Sequence, residues 1–192
     1  PLTQYGDQLI DENGSRFPII NDIPRFTELE NYAANFSFQW DKFAKTQLDR
    51  DEENFVHSQK RFFTETLWGH EDLSGKDILE VGSGAGRFSK VVLEKTMGNL
   101  YSVDYSEAVE TNKKNNQDIS PERFNLFQAS IDELPFPDNS FDKVFCMGVL
   151  QHTPNFERSV KCLIDKVKIG GEVVVVFYPI NGWWTKIHAK YI

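Results

Sequence analysis

The chain has 192 residues, with 40% hydrophobic and 14% aromatic composition and a formal net charge of −8. That length and apolar content suit an ordinary folded domain with a small appendage and argue against a disordered chain. The acidic balance argues against a duplex-binding surface, and two cysteines, Cys146 and Cys162, are too few for a disulfide framework.

The N-terminus, Pro1-Leu2-Thr3-Gln4, has neither a charged nor an apolar leader region, and it lacks Met. Its apolar runs are far too short to span a bilayer. With reduced cysteines, this favours a cytoplasmic home. Residues 1–35 form a small first unit. Asp11-Glu12-Asn13-Gly14 is a turn signal between the apolar runs Leu9-Ile10 and Phe17–Ile20, so a hairpin is expected. Residues 36–70 read as a helical lead-in, with Phe55, Val56, Phe62, Phe63 and Leu67 on one apolar face. Phe36, Phe38, Trp40 and Phe43 precede that face and could form a lid.

Residues 71–192 form the main unit, in which strands alternate with helices. Strands are expected at 78–81, 100–103, 124–128, 143–147 and 172–177. Helices are expected at 88–95, 107–114 and 156–167. This alternation implies an α/β fold with a doubly wound, mostly parallel, Rossmann-like sheet. Val173 to Phe177 lacks polar alternation, as expected of a strand covered on both faces.

The strongest local signal is Glu80-Val81-Gly82-Ser83-Gly84-Ala85-Gly86, which closes the first of these strands and opens a helix. Glycines there permit positive φ and close approach of backbone to a ligand. A dinucleotide fingerprint would need glycine at 87, where the chain has Arg87, and a Gly-Lys-Ser/Thr phosphate loop is absent. Asp104 ends the second strand, where a carboxylate can accept from both hydroxyls of a ribose. A turn-capping role is its plainer alternative, although Ser106 can serve as a cap. Tyr105 could lay its ring on adenine. Ser130, Ile131 and Asp132 follow the third strand, where the edge of the base would lie. Met147 and Gly148 end the fourth strand and leave room beside a ligand.

In the segments ILEVGSGAGRFS (78–89), SVDYS (102–106), LPFPDNSFDKVF (134–145), GVLQHTPN (148–155) and KIGGEVVVVF (168–177), the chain resembles the class I S-adenosylmethionine-dependent methyltransferases, most closely the type 11 small-molecule group. The resemblance implies that Gly82, Gly84 and Gly86 line the methionine part of S-adenosylmethionine, and Ser83 of the same loop is a further candidate cofactor contact. Glu80 would hold its amino group or the loop, Asp104 the ribose, and Tyr105 the adenine side. The family's adenine-reading Asp is replaced by Ser130, so Ser130, Asp132 and the Ile131 backbone share that role as alternatives.

Methyl transfer from a sulfonium needs mainly positioning and exclusion of water. His152 is the candidate base, with a structural or gating role as the alternative. His57, His70 and His188 form no ligand cluster, so no metal site is expected. The expected acceptor is a small molecule, such as a sugar or lipid-linked compound, rather than nucleic acid. Trp183 and Trp184 would contribute to a lid over it. Two alternatives are a non-catalytic cofactor- or partner-binding relative and an NAD-dependent oxidoreductase. The family resemblance also implies two further strands as a C-terminal hairpin, for which the chain has no counterpart. A five-stranded sheet is therefore expected, with its fifth strand exposed to self-association. Residues 17–24 also resemble a small zinc-ribbon-like unit that precedes some methyltransferases, here without zinc cysteines.

Overall fold

The computed structural model describes residues 2–27 and 52–177. The chain begins with a β-meander of β1 (Thr3–Tyr5), β2 (Gln8–Ile10), β3 (Arg16–Ile20) and β4 (Ile23–Pro24), each antiparallel to the next. The expected hairpin is β2–β3, with Leu9 opposite Phe17. Asp11 Oδ1 accepts from the N–H groups of Asn13 (2.9 Å) and Ser15 (2.8 Å), and Gly14 takes φ +84°. A short acidic side chain thus closes the turn. Sequence reading missed β1 and β4, which at three and two residues are too short to show period-two patterning.

Helix α1 (Glu52–Thr66) lies within the expected lead-in, and its buried face agrees with the expected one at Phe62 and Phe63 but not at Val56 and Leu67. Ser58, Phe62 and Thr66 are buried at i, i+4 and i+8, whereas Val56 and Leu67 are 58% and 78% exposed. Apolar residue type misplaced Val56 and Leu67 and passed over Ser58 and Thr66. Ser58 is buried because its Oγ accepts from Arg87 Nε, and Thr66 because its hydroxyl bonds back to the Phe62 carbonyl. Phe36, Phe38, Trp40, Phe43, Trp183, Trp184 and His188 lie outside the described residues.

The main sheet contains β5 (Asp77–Val81), β6 (Asn99–Asp104), β7 (Phe124–Gln128), β8 (Phe141–Met147) and β9 (Val167–Val176). They lie in the order β7-β6-β5-β8-β9, and every pairing is parallel. Helices α2 (Arg87–Lys95), α3 (Ala108–Asn116) and α4 (Phe156–Lys166) supply three of the four crossovers, and the β7–β8 crossover carries only the 3-10 turn Ile131–Glu133. A strand's side chains alternate between its two faces. Leu79, Val81, Val103, Val144 and Cys146 pack with Leu163 of α4. Ile78, Leu100 and Phe145 pack on the other side with Phe62 of α1 and Val91 and Val92 of α2. Cys146 is fully buried, and burial pushes its thiol up to about 12, which makes it inert core.

Strand β9 starts earlier than expected. It pairs at Phe141↔Val167, then bulges through Lys168–Gly171 and resumes at Lys143↔Glu172. Val173 and Val175 pack on the α4 side and Val174 on the α1 side, so both faces are used. Burial there is partial because β9 ends the strand order among the described residues.

Candidate functional site

In the strand order, β6 lies on one side of β5 and β8 on the other, so the chain reverses direction across the sheet between β5 and β8. Loops diverge at such a switch point and leave a crevice at the carboxyl ends of the strands. Residues 82–86 turn over this position. The N–H groups of Gly82 (2.7 Å) and Ser83 (3.1 Å) both donate to the Val103 carbonyl at the end of β6. Gly84 N–H donates to Asp104 Oδ2 at 2.7 Å. The opposite oxygen, Oδ1, accepts from Ser106 N–H (2.8 Å) and Ser106 Oγ (2.7 Å). Asp104 therefore holds the glycine loop and its own turn at once, while Ser106 Oγ accepts from Ala108 N–H. A carboxylate has about four acceptor positions, and Asp104 Oδ2 uses one within the protein.

Gly82, Gly84 and Gly86 all have positive φ (+81°, +53° and +85°). Two of them are also required by packing. A Cβ on Gly82 would come within 2.2 Å of Val149 Cγ2, and one on Gly86 within 2.0 Å of Asn112 Oδ1. The loop is thus pressed between the β8 turn and α3.

Beneath the loop runs a buried polar chain. Glu80 and Ser102 share the sheet face of Ile78 and Leu100, one strand repeat on. Glu80 Oε2 accepts from Ser89 Oγ (2.5 Å) and Ser102 Oγ (2.9 Å). Asn112 Nδ2 donates to both serine oxygens, and Asn116 Nδ2 donates to Asn112 Oδ1 (2.8 Å) and the Gly86 carbonyl (3.0 Å). Burial pushes the Glu80 carboxyl up to about 7, the two serine hydroxyls oppose this, and Asp104 adds to the rise. Sequence reading missed Ser102, Asn112 and Asn116. The i, i+4 spacing of two asparagines beside Ala108 and Val109 was the available signal.

The remaining expected residues follow the neighbouring strands. Tyr105 is half-buried, and its carbonyl accepts from Gln128 Nε2 at 3.0 Å. Ser130 Oγ caps the short 3-10 turn Ile131–Glu133 by accepting from Asp132 N–H. Asp132 Oδ1 accepts from Ser159 Oγ of α4 at 2.9 Å, so that carboxylate is engaged in joining the turn to the helix. Met147 is half-buried at the end of β8. Gly148, at φ +74°, donates its N–H to the Val176 carbonyl. His152 ends the 3-10 turn Leu150–His152 with an exposed side chain.

Two side-chain atoms at this rim, Ser83 Oγ and Gln151 Oε1, are buried without a hydrogen-bond partner among the described residues. The Gln151 carboxamide is oriented by its Nε2, which donates to the Gly148 carbonyl at 2.9 Å. Leaving such atoms unpaired costs about 1–3 kcal/mol each. A ligand carrying donors, as S-adenosylmethionine does in its ammonium and hydroxyl groups, fits this rim. When bound, it would supply an activated methyl group.

A family model described as "Methyltransferase domain" matches residues 79–175. A tRNA U34 carboxymethyltransferase of Nautilia profundicola is 31% identical over 132 residues, covering 67% of this chain and 43% of the relative. A ubiquinone biosynthesis O-methyltransferase of Coxiella burnetii is 32% identical over 125 residues, covering 62% and 52%. The chain thus spans about half the length of the curated relatives it matches.

Among solved structures, a candidate S-adenosyl-L-methionine-dependent methyltransferase from Methanococcus maripaludis superimposes with TM-score 0.61 at 17% identity, covering 78% of this chain and 65% of that one. The [4+2]-cyclase SpnF superimposes with TM-score 0.62 at 17% identity, covering 77% and 62%. At these identities the likeness is one of fold. With the family match over residues 79–175, the chain belongs to the class I S-adenosylmethionine-dependent methyltransferases.

Proposed function

We propose that the protein transfers a methyl group from S-adenosylmethionine to a small-molecule acceptor. The observation that carries this reading is the loop 82–86 held over the switch point by Asp104, with the buried oxygens Ser83 Oγ and Gln151 Oε1 unpaired among the described residues. In this reading Gly82, Ser83, Gly84 and Gly86 surround the methionine part. Asp104 Oδ2 takes a ribose hydroxyl on its remaining acceptor position, and Tyr105 flanks adenine. Ser130 and the Ile131 backbone read the base edge, since Asp132 is engaged with Ser159. Glu80 supports the loop from beneath, through the polar chain that ends on the Gly86 carbonyl. Met147 and Gly148 leave space at the end of β8, and His152 receives the proton when the acceptor is a hydroxyl.

Both cysteines are free, which supports residence in a reducing compartment such as the cytoplasm. The chain is read as three segments, residues 1–35, 36–70 and 71–192, of which the first docks on the sheet through Ile23. Strand β9, which ends the strand order among the described residues, is the surface proposed for self-association.

The test is release of S-adenosylhomocysteine from S-adenosylmethionine with a panel of hydroxyl and amine acceptors, alongside calorimetry with S-adenosylhomocysteine and NAD. Turnover with a small acceptor supports the reading. Binding of NAD without S-adenosylhomocysteine would overturn it. Turnover only with tRNA would transfer the acceptor to the class named for the Nautilia relative.

A further inference from the structure

The meander joins the sheet at the rim where the site lies. Phe26 N–H donates to the Gln128 carbonyl at 2.7 Å, and Arg25 pairs with Gln128, the last residue of β7, as a parallel bridge. The Arg25 side chain is 4% exposed and Gln128 is 6% exposed. Arg25 Nη1 donates to Gln128 Oε1 at 2.9 Å, and Arg25 Nη2 is paired with Glu110 of α3. The other end of the same carboxamide, Gln128 Nε2, donates to the Tyr105 carbonyl at 3.0 Å.

A guanidinium has only donors, so the carboxamide must turn its oxygen toward Arg25 and its nitrogen toward Tyr105. Arg25 thereby sets the orientation of Gln128, and Gln128 sets the backbone of Tyr105. Tyr105 lies between Asp104, which holds Gly84, and Ser106, which holds Asp104. We infer that Arg25 and Gln128 are positioning residues for the adenine side of the cofactor site, which makes the N-terminal meander a working part of that site. This inference rests on the cofactor reading proposed above.

Gln128→Glu separates this relay from general structural support. It keeps the acceptor facing Arg25 and replaces the donor facing Tyr105 with a second acceptor. Calorimetry should show S-adenosylhomocysteine binding about three- to tenfold weaker, the scale of one lost hydrogen bond. In turnover, KM for S-adenosylmethionine should rise with kcat little changed. In a Tyr105→Ala background the same substitution should weaken binding no further, because both act through one element.

Arg25→Lys supplies a second variant. It keeps the charge facing Glu110 but loses the fork that also reaches Gln128, and it should show the same coupling to Tyr105. Unchanged affinity in Gln128→Glu, or an equal loss with and without the Tyr105 ring, overturns the relay. If the unaltered protein does not bind S-adenosylhomocysteine, the parent reading fails and the relay's ligand role fails with it.

Discussion

Glu80 carries an unusual burden for a carboxylate. Its usual value of 4.5 is raised to about 7 by burial. Between those values the unfolded chain releases a proton that the folded chain keeps, so raising the pH favours unfolding. The contribution is fully present below pH 4.5 and lost as pH rises through about 7, a change of about 3 kcal/mol. Glu80→Gln, which can still accept from Ser89 and Ser102, should gain stability over the unaltered protein as pH rises from about 5 to 8.5. Urea midpoints across that range check this, and parallel curves would contradict it. Gly86→Ala places a Cβ against Asn112 and Asn116 at φ +85° and should cost about 2–4 kcal/mol. Gly14→Ala has a similar φ with open space and should cost only about 1–2 kcal/mol by the same denaturation assay. Asp104→Ala should weaken S-adenosylhomocysteine binding by about 1.5–3 kcal/mol. Unchanged affinity in calorimetry would remove Asp104 from the site.

At the scale of elements, α1 is anchored by aromatic contacts more than by its amphipathic pattern. Phe62 is fully buried and meets Phe145 of β8 edge-on at 5.3 Å and Trp68 at 5.9 Å. Phe62→Ala should cost about 3–5 kcal/mol. Val56→Asp, on the exposed face, should stay within about 0.5 kcal/mol of the unaltered protein. Thermal or urea unfolding of the two variants tests which face of the helix is buried. The 3-10 turn Trp68–His70 adds a polar anchor, since Trp68 Nε1 donates to Glu172 of β9 at 2.8 Å. Lys143 joins Glu172 (3.0 Å) to Glu71 (2.6 Å).

Across the whole molecule, the meander shares hydrophobic core with the sheet and its helices. Ile23 of β4 is fully buried with Val109 of α3 and Leu126 of β7. The meander should therefore unfold with the main sheet. Ile23→Ala should lower stability by about 2–5 kcal/mol and leave a single urea transition, coincident by tryptophan fluorescence and circular dichroism. Two separated transitions would show that the meander is an independent unit.

The order of strands and helices from Asp77 onward was legible because period-two and period-3.6 patterns are local properties of the chain. The glycine loop was legible because positive φ and close approach restrict residue type wherever they occur. The buried face of α1 was legible only at Phe62 and Phe63. Ser58 and Thr66 are polar by type and buried only because Arg87 and the Phe62 carbonyl meet them in the fold. The engagement of Asp132 with Ser159, the packing of Asn112 and Asn116 beneath Gly86, and the path from Arg25 through Gln128 to Tyr105 were not legible. By itself the sequence determined the fold class and the place of the loop on the sheet, since both follow from short-range pattern. The tertiary structure alone decided which polar groups are spent within the protein and which stay open to a ligand. That pairing joins residues as far apart as Arg25 and Gln128, and no local pattern encodes it.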